Sequence, residues 1–318
     1  MRGQRGLLLV ATALSTGVLV PAFAGDAVAQ SATTCTFSGS TCTVGVAGTT
    51  STQPFAFGAT GSTGSGSNPG GSIASTTYTV LPSYDVQLLG STFNANQVSQ
   101  VGGNGSNNGP STGGSGGDIT FNAQAGATIS GTITARESAT LGTVLIQSLG
   151  GNGTDDNSNN RSNGAAGGAG GAIAYSGGST TIVLDQTVSV GGTEAFALRL
   201  FSTGGRGGRG NSASGFVPRG GNGGNGGSIT ATVGEVDVGA TNPVTGTRVA
   251  GVEAISVGQR STNDTQDGKG GAGGGGTASG GSGGAVAVSA NGAITVSGAG
   301  TASGPGNGVF GVLAGSTG

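Results

Sequence analysis

The feature that most limits how this chain folds is a repeat of fixed period, built on excursions in which glycine holds two of every three positions. Four strings match closely: GGSGGDI at 113–119, GGAGGAI at 167–173, GGNGGSI at 223–229 and GGSGGAV at 280–286. Their end positions, Ile119, Ile173, Ile229 and Val286, recur at nearly equal intervals of roughly 55 residues. A second marker opens each excursion. It reads VSQVGGNG at 98–105, IQSLGGNG at 146–153 and LFSTGGRG at 200–207, and it recurs as GSTG at 315–318. Gly318 lies two such periods beyond Gly204, which places a degenerate copy near Ser261. Two markers sharing a period indicate units that stack because none can bury a core alone.

The other half of each unit is strand-like. DITFNAQAGATISGTITA (118–135), STTIVLDQTVSV (179–190), SITATVGEVDV (228–238) and AVAVSANGAITVSG (285–298) alternate apolar and small polar residues between turn residues. That is the period-two signature of strands. The expected fold is mostly β: a parallel β-helix, or β-solenoid, whose coils stack at strand spacing and whose glycine insertions leave from one face. In GGRGGRG (204–210) and GGNGGNGGS (220–228) the non-glycine residues fall at every third position. Polyproline II geometry has three residues per turn. The insertions are therefore expected to run out and back as polyglycine II-like pairs, packed side by side. The competing reading is a flexible glycine linker.

Composition supports stacking over a large globular core. Glycine supplies 74 of 318 residues, charged residues are 8%, and tryptophan and histidine are absent. A net charge of −2 and the recurrent Val, Ile and Thr argue against disorder. The same balance argues against general nucleic-acid binding.

Residues 1–29 have the order of a secretory signal peptide: Arg2 and Arg5, an apolar run from Leu7 to Val20, then Ala22-Phe-Ala24 and Ala27-Val-Ala29. Cys35 and Cys42 follow, and in an oxidising compartment such a pair favours a disulfide. Its short loop would contribute about 2.5 kcal/mol. A redox or metal pair is the weaker alternative, without CxxC spacing or any histidine. Residues 30–84 read as an N-terminal leader or cap, and 85–318 as the repeats. The chain stops at the opening of a fifth excursion, so a truncated array is expected.

Few residues offer chemistry. GGNGTD at 150–155 begins like a calcium-binding nonapeptide, but Asn157 stands where an apolar residue belongs. Asp155 and Asp156 read as solvated loop carboxylates. A glycan-acting enzyme would need clustered carboxylates. The acids are scattered instead: Asp85, Asp118, Glu137, Asp185, Glu194, Glu235, Asp237, Glu253, Asp264 and Asp267. Only Glu235 and Asp237 share one strand face. No catalytic residue, metal or cofactor is assigned, and the chain is not expected to be an enzyme. Arg206, Arg209 and Arg219 cluster on one excursion and could contact anionic surface polymers, against the blander reading of a solubilising decoration. Ice binding would want flat, regular Thr ladders, and Thr is frequent but not at one strict repeat position.

The phrases VLIQSLGGNG (144–153), GGAGGAI (167–173), GAITVSG (292–298) and GVFGVLAGSTG (308–318) resemble the passenger regions of glycine-rich autotransporters of Gram-negative bacteria. The resemblance covers about residues 85–318. It implies a β-helical passenger at the cell surface or outer membrane, or beyond the cell, acting in adhesion, aggregation or biofilm formation. The implied partners are a host, glycan or neighbouring-cell surface, or further copies of the chain. It also implies a C-terminal outer-membrane barrel, which residues 1–318 do not contain. A β-helix enzyme acting on glycans and a secreted matrix or ice-binding protein are the alternatives.

Overall fold

The computed structural model describes residues 35–66, 68–88, 95–106, 111–134, 140–155, 163–188, 194–210, 220–261, 278–300 and 308–318. The expected signal peptide, Arg219, Glu137, Asp156, Asp264 and Asp267 lie outside them. The described residues are mostly β and contain no helix.

One unit can be followed from Ile119. Strand Ile119–Ala123 leads through a turn at Gly126, where φ is +76°, into strand Thr128–Ile133. Glycine is the residue that takes this backbone angle without strain. Strand Leu141–Leu149 follows, then a glycine excursion, and the next unit opens at Ile173. There the first two strands merge into one, Ile173–Gln186. The first two strands of successive units pair in parallel as an 11-stranded sheet, a curled half-barrel. The third strands pair in parallel as a 6-stranded sheet.

The residues that mark the repeat in sequence are direct neighbours in space. Ile119 pairs with Ile173, Ile173 with Ile229, and Ile229 with Val286. In the second sheet Val98, Ile146, Leu200, Ala254 and Ala314 follow one another. Parallel pairing reaches back beyond Asp85: Thr41–Val44 lies beside Thr76–Val80, and Ala56–Thr60 beside Asn96–Val101. The units there are shorter. Thr41 is already paired with Thr77, and Thr77 with Thr120, so a search at the later period passes over them. An antiparallel hairpin, Cys35–Ser38 with Thr41–Val44, lies at one end of the first sheet.

The core lies between the two sheets, where alternate side chains point inward. Tyr84, Phe55 and Phe121 are fully buried, as are Ile129, Ile146, Ile173 and Leu200. Each such aliphatic chain stabilises the fold by about 1.5–3 kcal/mol. Phe121 stacks on Tyr175 of the next unit with ring centroids 5.6 Å apart.

A polar column runs through this interior. Ser148, Ser202 and Ser256 are buried neighbours in the second sheet, and Ser316 follows them at its exposed end. Ser148 Oγ donates to the Gly117 carbonyl at 2.9 Å and accepts the Gly171 N–H at 2.8 Å. Ser202 then donates to Gly171 and accepts from Gly227, both at 2.8 Å. Ser256 continues the pattern from Gly227 to Gly284. Each hydroxyl thus ties the glycine segments of two successive units together.

Backbone hydrogen bonds tie the described glycine segments to one another. Within one excursion the return segment donates to the outbound one, as Gly168 N–H does to Gly151 and Gly224 N–H to Gly205, both at 2.8 Å. The next outbound segment donates to that return segment: Gly151 to Gly114 and Gly205 to Gly168. The zigzag runs from Gly71 to Gly281 at 2.7–3.0 Å. Residues three apart donate to the same segment of the adjacent unit, Gly113 to Ala166 and Gly116 to Ala169. The non-glycine residues between them face outward. Their amides are taken by the side chain one unit back: Ser279 by Asn222 and Ser282 by Asn225, at 3.0 and 2.9 Å.

The degenerate marker sits at Gly258–Gln259, slightly before the expected Ser261. Val257 pairs with Thr203, and Gln259 takes the place in the zigzag that Gly205 holds one unit earlier. The two intervals are unequal: Arg199 pairs with Glu253, and Glu253 with the more distant Leu313. Halving the whole distance therefore misplaces the copy.

Candidate functional site

Cys35 and Cys42 are joined by a disulfide across the end hairpin, with Cα atoms 5.7 Å apart. Arg206 and Arg209 stand on an outbound glycine segment, Arg206 exposed and Arg209 half-buried. Both amides are held by the preceding unit: Arg206 N–H by Asn152 Oδ1 at 2.9 Å and Arg209 N–H by Asp155 Oδ1 at 2.6 Å. A carboxylate thus lies beside the second arginine, and the pair does not form a purely cationic patch. Arg219 lies outside the described residues.

Three of the described acids link one unit to the next. Asp118 accepts the Ala172 N–H at 2.8 Å, Asp155 that of Arg209, and Asp185 that of Thr241 at 3.0 Å. In each case a carboxylate satisfies an amide in the next unit. Asp85 accepts a hydrogen bond from the Ser130 hydroxyl. Glu235 and Asp237 share the outer face of strand Ile229–Val238, Glu235 exposed and opposite Thr181, Asp237 opposite Val183 and Thr295. Among the described residues no group of three or more acids or cysteines comes together that could hold a metal ion.

The structure brings together four charges that the sequence leaves apart. Glu194 is paired with Arg248 and Arg199 with Glu253 in the second sheet. Arg199 Nε lies 3.0 Å from Glu253 and Nη1 3.3 Å from Glu194; Arg248 Nη2 lies 2.8 Å from Glu194 and 2.9 Å from Glu253. Burial raises the Glu253 carboxyl above its ordinary pKa, against the pull of Arg199 and Arg248. The signal in the sequence is an exchanged pair, Glu194…Arg199 and then, one unit on, Arg248…Glu253. The Arg199 guanidinium also lies over the Phe196 and Phe201 rings, 5.6 and 5.3 Å from their centres. These residues border a shallow hollow of about 420 Å³ on the sheet's outer face, lined also by Gln97, Leu145 and Gln147. The four charges of this face are paired with one another, and its arginine lies over the two rings.

The outer face of the first sheet differs. One column of neighbours reads Thr41, Thr77, Thr120, Ala174, Thr230 and Ala287. The column two residues on reads Thr43, Thr79, Asn122, Ser176, Thr232 and Ser289. The end hairpin adds Ser38 and Thr36. Neither column holds a charged or aromatic residue, and every one of these residues reaches the surface. The shift in pairing between Gly177 and Thr181 falls beyond both columns, so their register is unbroken. Sequence spacing hides this array because the units that separate its members differ in length, the first two being much the shortest.

No protein-family model, no curated protein and no solved structure matches this chain.

Proposed function

We propose that this chain is an exported β-solenoid with polyglycine II-type insertions, acting as a structural or adhesive scaffold at the cell surface in the manner of an autotransporter passenger. The observation that carries this reading is the continuous backbone bonding between units, through both sheets and through the glycine segments. A stack tied on three sides resists bending and holds its outer faces at fixed spacing. Such a body suits a stalk or an interaction surface better than a catalytic cleft. The signal-like segment 1–29 and the disulfide support an oxidising destination. Tethering to the membrane would require a barrel of the kind the autotransporter resemblance implies.

Localisation tests the proposal. Expressed in a Gram-negative host, the full chain is expected to be cleaved after Ala24 or Ala29 and to carry an oxidised Cys35–Cys42 pair outside the cytoplasm. An unprocessed chain in the cytoplasm with both thiols free would overturn it.

A further inference from the structure

We propose that the hydroxyl face of the first sheet binds ice. The inference rests on the proposed solenoid, because only parallel stacking in register brings the two columns into one array.

Three observations point to a crystalline water surface as the ligand. The first is spacing. Neighbouring strands lie about 4.8 Å apart and residues two apart along a strand about 6.7 Å apart. A two-column face therefore offers a rectangular net of short side chains, close to the oxygen repeats on the prism face of ice. The second is chemistry. Thr41, Thr77, Thr120 and Thr230, with Thr43, Thr79 and Thr232, each pair a hydroxyl with a methyl. Among the described residues no protein group takes up the hydroxyls of Thr77, Thr79, Thr120, Thr230 or Thr232. They are free to anchor water, while the methyls leave gaps that water fills in ordered cages. The third is rigidity. A β-branched side chain on a strand is restricted at χ1, and the pairing fixes the backbone, so the net is ordered before it meets the crystal. A preorganised surface gives up little entropy on binding.

The composition of the face favours ice over a glycan. A sugar lattice would be gripped by aromatic rings, and the aromatic side chains of these strands, Tyr78, Phe121 and Tyr175, are buried in the core instead. An anionic polymer would call for cations, and neither column has one.

The test uses the purified full chain with a seeded ice crystal in a nanolitre osmometer. The expected result is faceted growth with a gap between melting and freezing. That gap should fall to the level of buffer when Thr79→Lys and Thr232→Lys are combined, and again with Ser176→Lys alone at an exposed position of the same column. Glu235→Lys, on the other half of the sheet, should keep it. Glycine amide protection is measured on every sample. Protected glycines with round, unhindered crystals overturn the ice face and leave the solenoid standing. Equal loss in a folded Glu235→Lys variant, or retention on microcrystalline cellulose in place of ice, overturns the face as well. Unprotected glycines in the parent chain overturn the solenoid and the face with it.

Discussion

Gly168→Ala is expected to lower stability by about 3 kcal/mol, among the largest effects of any single substitution here. The sign runs against the usual behaviour of this change. At an unconstrained site, glycine to alanine stabilises by about 0.4–1 kcal/mol, because the unfolded chain loses freedom. Gly168 is not such a site. Its amide donates to Gly151, its carbonyl accepts from Gly205, and a Cβ on it would stand 2.0 Å from the Gly114 carbonyl oxygen. The methyl would force three glycine segments apart, and backbone has no rotamer with which to yield. The equivalent positions Gly71, Gly114, Gly224 and Gly281 are all glycine. The outward Ala169→Ser should change stability by less than about 0.5 kcal/mol. Denaturant midpoints followed by circular dichroism give the comparison. If the two substitutions behave alike, the packed arrangement is wrong.

Ser202→Ala is expected to cost about 3 kcal/mol, from two buried groups left without partners at roughly 1–3 kcal/mol each. Ser202 is fully buried, and its hydroxyl bridges the Gly171 carbonyl and the Gly227 amide at 2.8 Å on both sides. Alanine fills nearly the same space but neither donates nor accepts. The loss should be local at first, because stability in a stacked array is a sum of unit and interface terms. The glycines on both sides of the missing hydroxyl should open before the strands do. Ser176→Ala, on the outer face, serves as the exposed control and should be close to neutral. A Ser202→Ala midpoint equal to that of the control would remove the serine column from the account.

The strands and their neighbours are legible because the repeat carries its own alignment. Ile119, Ile173, Ile229 and Val286 stand at one position of each unit, and they pair directly. The glycine triplets are legible for the same reason: a non-glycine at every third residue has physical meaning only if the other two faces are crowded. Features that depend on register between units of unequal length are not legible. Gln259 marks the fourth excursion, and Ser261 misses it because the step from Arg199 to Glu253 is shorter than the step from Glu253 to Leu313. The threonine columns join residues at separations that change from unit to unit, so no period reveals them. The serine in IQSL and LFST is visible as part of a phrase. Its role requires the glycines of two neighbouring units, which sequence does not bring together. Asp118, Asp155 and Asp185 look scattered because each answers an amide one unit away, as Asp118 does for Ala172.

Amide hydrogen exchange on the glycines reads whether the excursions are packed. Gly103, Gly114, Gly151, Gly168, Gly205 and Gly224 each donate to another segment's carbonyl at 2.7–2.9 Å. Their protection should approach that of strands Leu141–Leu149 and Glu194–Thr203 beside them. Complete exchange of these six amides within the dead time, with the strands still protected, would contradict the account and leave the excursions as flexible linkers.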